Sequence, residues 1–204
     1  MIVFIYAHIK EIVMNNFFAY VNRMKYIKRW SLMYSSKKEN LMEHTAQVAI
    51  IAHALATINN VVFDGDVDSD KIASKALFHD ASEVMTGDLP TPVKYYNAEI
   101  KAAYKDLEHT ANSKLLSMLP DELKPSYDKL LNYDVSTYEA KLLKAADKLS
   151  AYIKCLEELN FGNKEFSKAK TTIETDLKKM NLDEVNYFIE NFIPSFKKTL
   201  DELD

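Results

Sequence analysis

The stretch LMEHTAQVAIIAHALATI, residues 41–58, is apolar over a wide face through Val48, Ile51, Ala52 and Leu55. A helix with so broad an apolar face must be covered by other helices, which places it inside a multi-helix core. Helical spacing recurs on both sides of it. Residues 15–27 carry Phe17, Phe18, Tyr20, Val21 and Met24 at helical intervals. Downstream, residues 59–70 hold Gly65 and four aspartates and read as a loop, with Ser69 or Asp70 capping a helix that runs to about His79. Gly87, Pro90 and Pro92 fall within six residues, which excludes regular helix there. Further helices are expected over 97–118, between Pro120 and Pro125, and over 136–159, with a stop at Phe161-Gly162-Asn163. Two more follow, 164–180 and 182–203, the last kinked by Pro194. There is no strand-type alternation of useful length, no internal repeat and no low-complexity segment. Three glycines and five prolines are few for a β-rich chain that needs many tight turns. The reading is an all-α protein, and 204 residues suit one domain.

The formal net charge of -4 removes the uniformly basic surface that gripping a nucleic-acid polymer requires. The charge is uneven, however. No acidic residue lies between Glu11 and Glu39, while Arg23, Lys25, Lys28, Arg29, Lys37 and Lys38 all fall there, including both arginines of the chain. Most of these lysines read as a solvated helix face, but the stretch suits a small anionic ligand better than a polymer. The single cysteine, Cys155, cannot form a disulfide within the chain, which fits a reducing cytoplasm, and no thiolate metal cluster can form. Residues 1–13, MIVFIYAHIKEIV, lack a basic leader and are short of the ~20 apolar residues that span a bilayer. Residues 1–14 are therefore expected to be an N-terminal extension to a domain covering 15–204, with no membrane segment.

The residues that could carry chemistry are His44, the adjacent pair His79-Asp80, and Asp147. Two imidazoles and two carboxylates form a donor set suited to a divalent transition ion such as cobalt, manganese, zinc, nickel, iron or copper. Fewer protein ligands than coordination positions leave room for water and phosphate. Taken singly each is weak evidence: His53 and His109 read as ordinary helix residues, and Asp147, within the apolar run 142–149, could equally be neutralised by Lys144 or Lys148. Glu83 follows His79 by four and Asp80 by three, which on a helix is one face, where a carboxylate could accept or relay a proton. Either arginine could fork onto a phosphate, but Arg29 adjoins Trp30, an aromatic wall or else a core side chain. Asp88, on a proline-stiffened loop, could accept a sugar hydroxyl's hydrogen bond.

The wording around these residues is more specific than the residues alone. Arg29-Trp30-Ser31-Leu32-Met33, Glu43-His44-Thr45, Phe78-His79-Asp80-Ala81-Ser82-Glu83-Val84, Thr86-Gly87-Asp88-Leu89-Pro90-Thr91-Pro92-Val93-Lys94, Ala145-Ala146-Asp147 and Lys154-Cys155-Leu156-Glu157-Glu158 stand in this order. Together they resemble the H…HD…D signature of HD-domain phosphohydrolases, in the branch of the YfbR-type 5'-deoxynucleotidases, from about Asn15 to the C-terminus. Met42-Glu43-His44-Thr45 departs from the small or polar residues common around that histidine. The resemblance implies a single HD-domain helical bundle that hydrolyses deoxynucleoside 5'-monophosphates. It also implies one divalent metal on His44, His79, Asp80 and Asp147, and a homodimer. By position, Glu83 is the implied catalytic carboxylate, assisted by Asp88, and Arg29 orients the phosphate. Trp30, Asp80, Asp88, Leu89, Pro90, Thr91 and Asp147 are the implied substrate contacts.

Overall fold

The computed structural model describes residues 15–203; the expected extension at 1–14 lies outside them. Ten α-helices follow one another among these residues: α1 (Phe17–Val21), α2 (Leu41–Val62), α3 (Ser69–Ala76), α4 (Glu83–Thr86), α5 (Thr91–Lys94), α6 (Ala98–Leu116), α7 (Lys124–Leu131), α8 (Tyr138–Asn160), α9 (Ser167–Met180) and α10 (Asp183–Asn191). The described residues contain no strand, only one antiparallel bridge between Lys28 and Asn40. The all-α expectation is met.

The core is built around α2 and α8. Val48, Ile51, Leu55 and Ile58 of α2 meet Leu142, Leu149 and Ile153 of α8, and Ile72, Leu177 and Val185 close the sides from α3, α9 and α10. By length and composition α2 could cross a membrane, yet its apolar residues at 48, 51, 52, 55 and 56 are buried against these neighbours. A second cluster, Phe17, Ala81, Leu115, Leu119 and Leu131, sits under α4 and α6. The junction of the two clusters is where His79 and Asp80 lie.

Several helix limits differ from the sequence expectation, each for a local reason. The helix expected over 15–27 is α1 followed by a 3-10 turn, Asn22–Tyr26. Helix α2 continues through Asn59 and Asn60 to Val62, because both asparagines bond outside the helix. Asn59 donates to Glu184, and Asn60 exchanges two hydrogen bonds with the Val67 backbone, at 2.8 and 2.7 Å. Asp68, rather than Ser69 or Asp70, caps α3 by accepting from the Lys71 N–H at 2.9 Å. Helix α3 stops at Ala76 instead of His79, and residues 77–82 form tight turns. The prolines Pro92 and Pro125 sit in the first turns of α5 and α7, where a missing N–H costs nothing, so helix begins at Thr91 and Lys124. The segment expected as 182–203 is α10 followed by 3-10 turns at Ile193–Lys197 and Leu200–Glu202, with Pro194 starting the first. Similarly, a 3-10 turn, Lys164–Phe166, precedes α9.

The loop after α1 is held onto α8 by a buried carboxylate. Glu158 accepts the Ser36 and Lys37 backbone N–H groups at 2.8 and 3.2 Å and the Asn163 amide at 2.8 Å, and it pairs with Lys154 at 2.5 Å. Lys154 also donates to the Lys37 carbonyl at 2.5 Å. Burial alone would raise the Glu158 pKa, but the Lys154 ammonium and these N–H donors pull it from 4.5 down to about 2. A carboxylate depressed on folding adds stability above its ordinary range and loses that contribution as pH falls from 4.5 through about 2. Glu158→Gln should therefore cost on the order of 2 kcal/mol at pH 7 and flatten the acid limb of a urea-denaturation series across that window. An acid limb identical to that of the parent would show that Glu158 contributes nothing.

Candidate metal and phosphate site

Three segments deliver the candidate residues to one place. His44 sits in the first turn of α2, which a capping box fixes: Asn40 Oδ1 accepts the Glu43 N–H at 3.0 Å, and the Glu43 carboxylate accepts the Asn40 N–H at 3.3 Å. Glu43, within the departing stretch Met42-Glu43-His44-Thr45, thus has a structural role beside His44. Asp147 projects from the middle of α8, and His79 and Asp80 come from the turns between α3 and α4. His44 and Asp147 face each other, Nε2 to Oδ1, at 3.3 Å. Asp80 Oδ2 is 3.0 Å from His79 Nε2 and 3.7 Å from His44 Nε2. Donor atoms of His44, His79 and Asp147 all lie within 4.8 Å of one another.

These donors suit a cation. His79 Nδ1 is 2.8 Å from the Ala76 carbonyl oxygen, which can only accept, so Nδ1 carries the hydrogen and neutral His79 presents the Nε2 lone pair. The Nε2 atoms of both histidines are buried without a hydrogen-bond partner, and the oxygens they face are carboxylates. Lone pairs aimed at negative oxygens repel unless something positive sits among them. A proton is one candidate: burial opposes charging His79, yet Asp80, which a protonated Nε2 would meet at 3.0 Å, and then Asp147 hold its pKa above the ordinary value. Burial followed by the Arg29 charge holds His44 below the ordinary value, so this imidazole stays a neutral donor. Both aspartates stay ionised despite burial, Asp80 through His79 and Asp147 through Lys144, whose ammonium is 2.6 Å away. The set fits a divalent ion held by His44, His79, Asp80 and Asp147.

Arg29 lies against this cluster. Its Nη1 is 3.8 Å from Asp80 Oδ2, and its Nε is 3.2 Å from Glu39 Oε2. Burial disfavours its charge, but Asp80, Asp147, Glu39 and Asp88 hold the guanidinium firmly protonated. Arg23 lies apart, over the ring of Tyr26 at 5.8 Å, so Arg29 is the arginine beside these imidazoles and carboxylates. Glu39 Oε2 also accepts the Trp30 indole N–H at 3.2 Å, and Trp30 packs on Phe166 with ring centroids 5.2 Å apart. Trp30 occupies the left-handed region at φ 59, a strained conformation for a bulky residue, held by the Lys28–Asn40 bridge before it and by these two contacts. Glu39 is a site residue that the sequence reading passed over. The only available signal was its place as the first acid after the cationic stretch.

Glu83 opens α4 with its carboxyl buried and Oε2 unpartnered. Burial, then the charges of Asp80 and Asp88, push its pKa up to about 9. Gly87, at φ 74, turns the chain out of α4 into the segment carrying Asp88, whose pKa burial also raises. A cavity of about 460 Å³, within the usual range for ligand pockets, opens beside His79, Asp80 and Asp147. Lys94, Tyr95, Tyr104, Tyr133 and Lys144 line it, with the Lys94 ammonium over the Tyr104 ring at 4.4 Å; of the predicted site residues, Arg29, Trp30, His44, Glu83, Asp88, Leu89, Pro90 and Thr91 lie outside the lining. His53 and His109 are exposed and remote from the cluster, His53 facing Asp70 at 3.7 Å.

The chain matches the family model of YfbR-like 5'-deoxynucleotidases over residues 16–196. A 5'-deoxynucleotidase of Erwinia tasmaniensis is 50% identical over 190 residues, covering 93% of this chain and 96% of that protein. The 5'-deoxynucleotidase YfbR of Escherichia coli is 50% identical over the same shares. Among solved structures, an HD-domain phosphohydrolase from Listeria innocua aligns with a TM-score of 0.78 at 26% identity, covering 89% of this chain and 88% of that one. A cyanophage S-2L HD phosphohydrolase, DatZ, solved with dA and one catalytic Zn2+ ion, shares the fold at a TM-score of 0.60 and 18% identity, over 89% of this chain and 96% of that one.

An ion held by this donor set would bind the folded state and not the unfolded chain. Co2+ at ~100 times its dissociation constant should stabilise the protein by about 2.7 kcal/mol, read as a thermal shift. Asp147→Ala, which removes one ligand, should abolish most of that shift. A shift of the same size in the variant would exclude Asp147 from the ion's ligands.

Proposed function

The chain belongs to the YfbR-like 5'-deoxynucleotidase family, and we propose that His44, His79, Asp80 and Asp147 hold the divalent ion with which it hydrolyses deoxynucleoside 5'-monophosphates to deoxynucleoside and phosphate. The observation that carries the reading is the convergence of these four side chains, with Arg29 3.8 Å from Asp80 and a buried carboxylic acid, Glu83, alongside.

A bound divalent ion supplies Lewis acidity toward phosphate oxygens and makes water ionisable near neutral pH. Everything else falls to the chain. Arg29 is anchored through Nε by Glu39, which leaves the outer nitrogens of its fork to orient a phosphate and offset charge on the transferring group. Glu83 Oε2, free of internal hydrogen bonds, holds or passes the proton exchanged with attacking water and leaving oxygen. Asp88, on the segment stiffened by Pro90 and Pro92, takes a sugar hydroxyl or assists Glu83. Leu89, Pro90 and Thr91 complete that side as backing for the segment. The indole of Trp30, held by Glu39 and Phe166, is a rigid wall suited to refusing a 2'-hydroxyl.

The donor chemistry, imidazole with carboxylate, supports a borderline ion of the cobalt, manganese, zinc, nickel, iron or copper group. Buried, unpaired Cys155 supports a reducing compartment, the cytoplasm. Exposed apolar side chains such as Ile50, Val61 and Tyr96 supply surface for a homodimer.

A phosphate-release panel tests the assignment. With Co2+ or Mn2+, dAMP and dTMP should release phosphate and their ribose counterparts should not. Glu83→Ala should retain the bound ion but lose ~10²–10⁴-fold in kcat. Trp30→Ala should narrow the preference for dAMP over AMP by about tenfold or more. Metal-loaded protein that binds dAMP without turning it over would make the chain a nucleotide-binding regulator instead.

A further inference from the structure

Behind His44, on the side away from the aspartates, its Nδ1 is 3.0 Å from Ser150 Oγ, and Ser150 Oγ is 2.6 Å from Gln47 Oε1. His44 and Ser150 are fully buried, while Gln47 is half-buried and lines a small cavity of about 190 Å³ between α2 and α8. The direction of this chain of hydrogen bonds follows from its end. The Gln47 carbonyl oxygen has no hydrogen, so Ser150 spends its only O–H there. Ser150 Oγ can then only accept from His44, so the His44 hydrogen resides on Nδ1. Neutral His44 must therefore be bare at Nε2, the atom facing Asp147 and Asp80.

We infer that Ser150 and Gln47 are positioning residues that lock His44 into the Nδ1–H tautomer and aim its Nε2 lone pair at the metal position. The spacing permits this on two adjacent helices. Gln47 lies three residues after His44, one turn along α2, and Ser150 lies three after Asp147, one turn along α8. One pair of helix turns therefore carries two metal ligands and the two residues that orient one of them. His79 receives the same service from a main-chain acceptor, the Ala76 carbonyl, so the two imidazoles are fixed by independent means. A wrong tautomer at His44 would put an N–H against two carboxylates, forming a hydrogen bond where a ligand bond is needed.

The inference rests on His44 being a metal ligand, and the experiment separates the two. Co2+ affinity is measured by calorimetry for the parent, His44→Ala, Ser150→Ala, Gln47→Leu and Gln47→Glu. The His44 ring nitrogens of metal-free parent, Ser150→Ala and Gln47→Leu are assigned by long-range 1H–15N spectra. Ser150→Ala and Gln47→Leu should weaken Co2+ binding by about 10- to 100-fold and convert His44 from Nδ1–H to a tautomer mixture. Gln47→Glu, which keeps an oxygen acceptor for Ser150, should restore affinity to near the parent value. A merely packing role for Ser150 would lower the melting temperature and leave the nitrogen signature unchanged. Parent-like affinity and an unchanged Nδ1–H signature in both Ser150→Ala and Gln47→Leu, with His44→Ala losing the ion, would overturn the relay alone. Parent-like affinity in His44→Ala would overturn the ligand assignment beneath it.

Discussion

Two imidazole nitrogens and two carboxylates are pressed together at the meeting point of α2, α8 and the turns that carry His79 and Asp80, and their mutual repulsion is the constraint on which the structure turns. With both imidazoles neutral and their hydrogens on Nδ1, an Nε2 facing a carboxylate oxygen at 3.0 or 3.3 Å offers lone pair to lone pair, and a proton at His79 relieves only the first of these. Buried charge persists only where it is paired. The protein supplies part of the answer from outside, with Lys144 on one oxygen of Asp147 and Arg29 beside Asp80. The remainder is what the proposed divalent ion would supply.

The rest of the fold is arranged to hold that unfavourable cluster still. The apolar faces of α2 and α8 interlock over several turns beyond it, and the capping box at Asn40 and Glu43 fixes the turn from which His44 projects. The loop bearing Arg29 and Trp30 leaves Leu32 and Tyr34 exposed rather than packed on the core. It is fastened instead by polar contacts, the Lys28–Asn40 bridge, Glu39 and the buried pair Lys154–Glu158. Rigid supports of this kind are what the roles proposed for Arg29 and Trp30 require.

Much of this was legible in the sequence, and the boundary of legibility has physical causes. The wide apolar face of residues 41–58 identified the central helix, and the side chains of His44, His79, Asp80 and Asp147 lie together in the fold. What periodicity could not see was tertiary rescue. Asn59 and Asn60 read as loop residues, but Glu184 and Val67 give their amides partners that let the helix run on. Pro92 and Pro125 read as breakers, yet in a first turn proline starts a helix. Pairings between distant residues were equally hidden. Glu39 is adjacent to Arg29 only because the chain doubles back at the Lys28–Asn40 bridge, and nothing in the residue pattern pairs Ser150 with His44 across two helices. Lys144 and Lys148 stood as equal partners for Asp147; geometry gives Lys144 to Asp147 and Lys148 to Asp176.

X-ray absorption at the metal edge of the Co2+-loaded protein tests the central claim most directly, because it reads the ligands and not the activity. The account predicts one ion per chain in a mixed shell of nitrogen and oxygen at about 2.0–2.2 Å, with the outer-shell scattering of two imidazole rings. An ion surrounded by oxygen alone, or carrying a single imidazole, would contradict it.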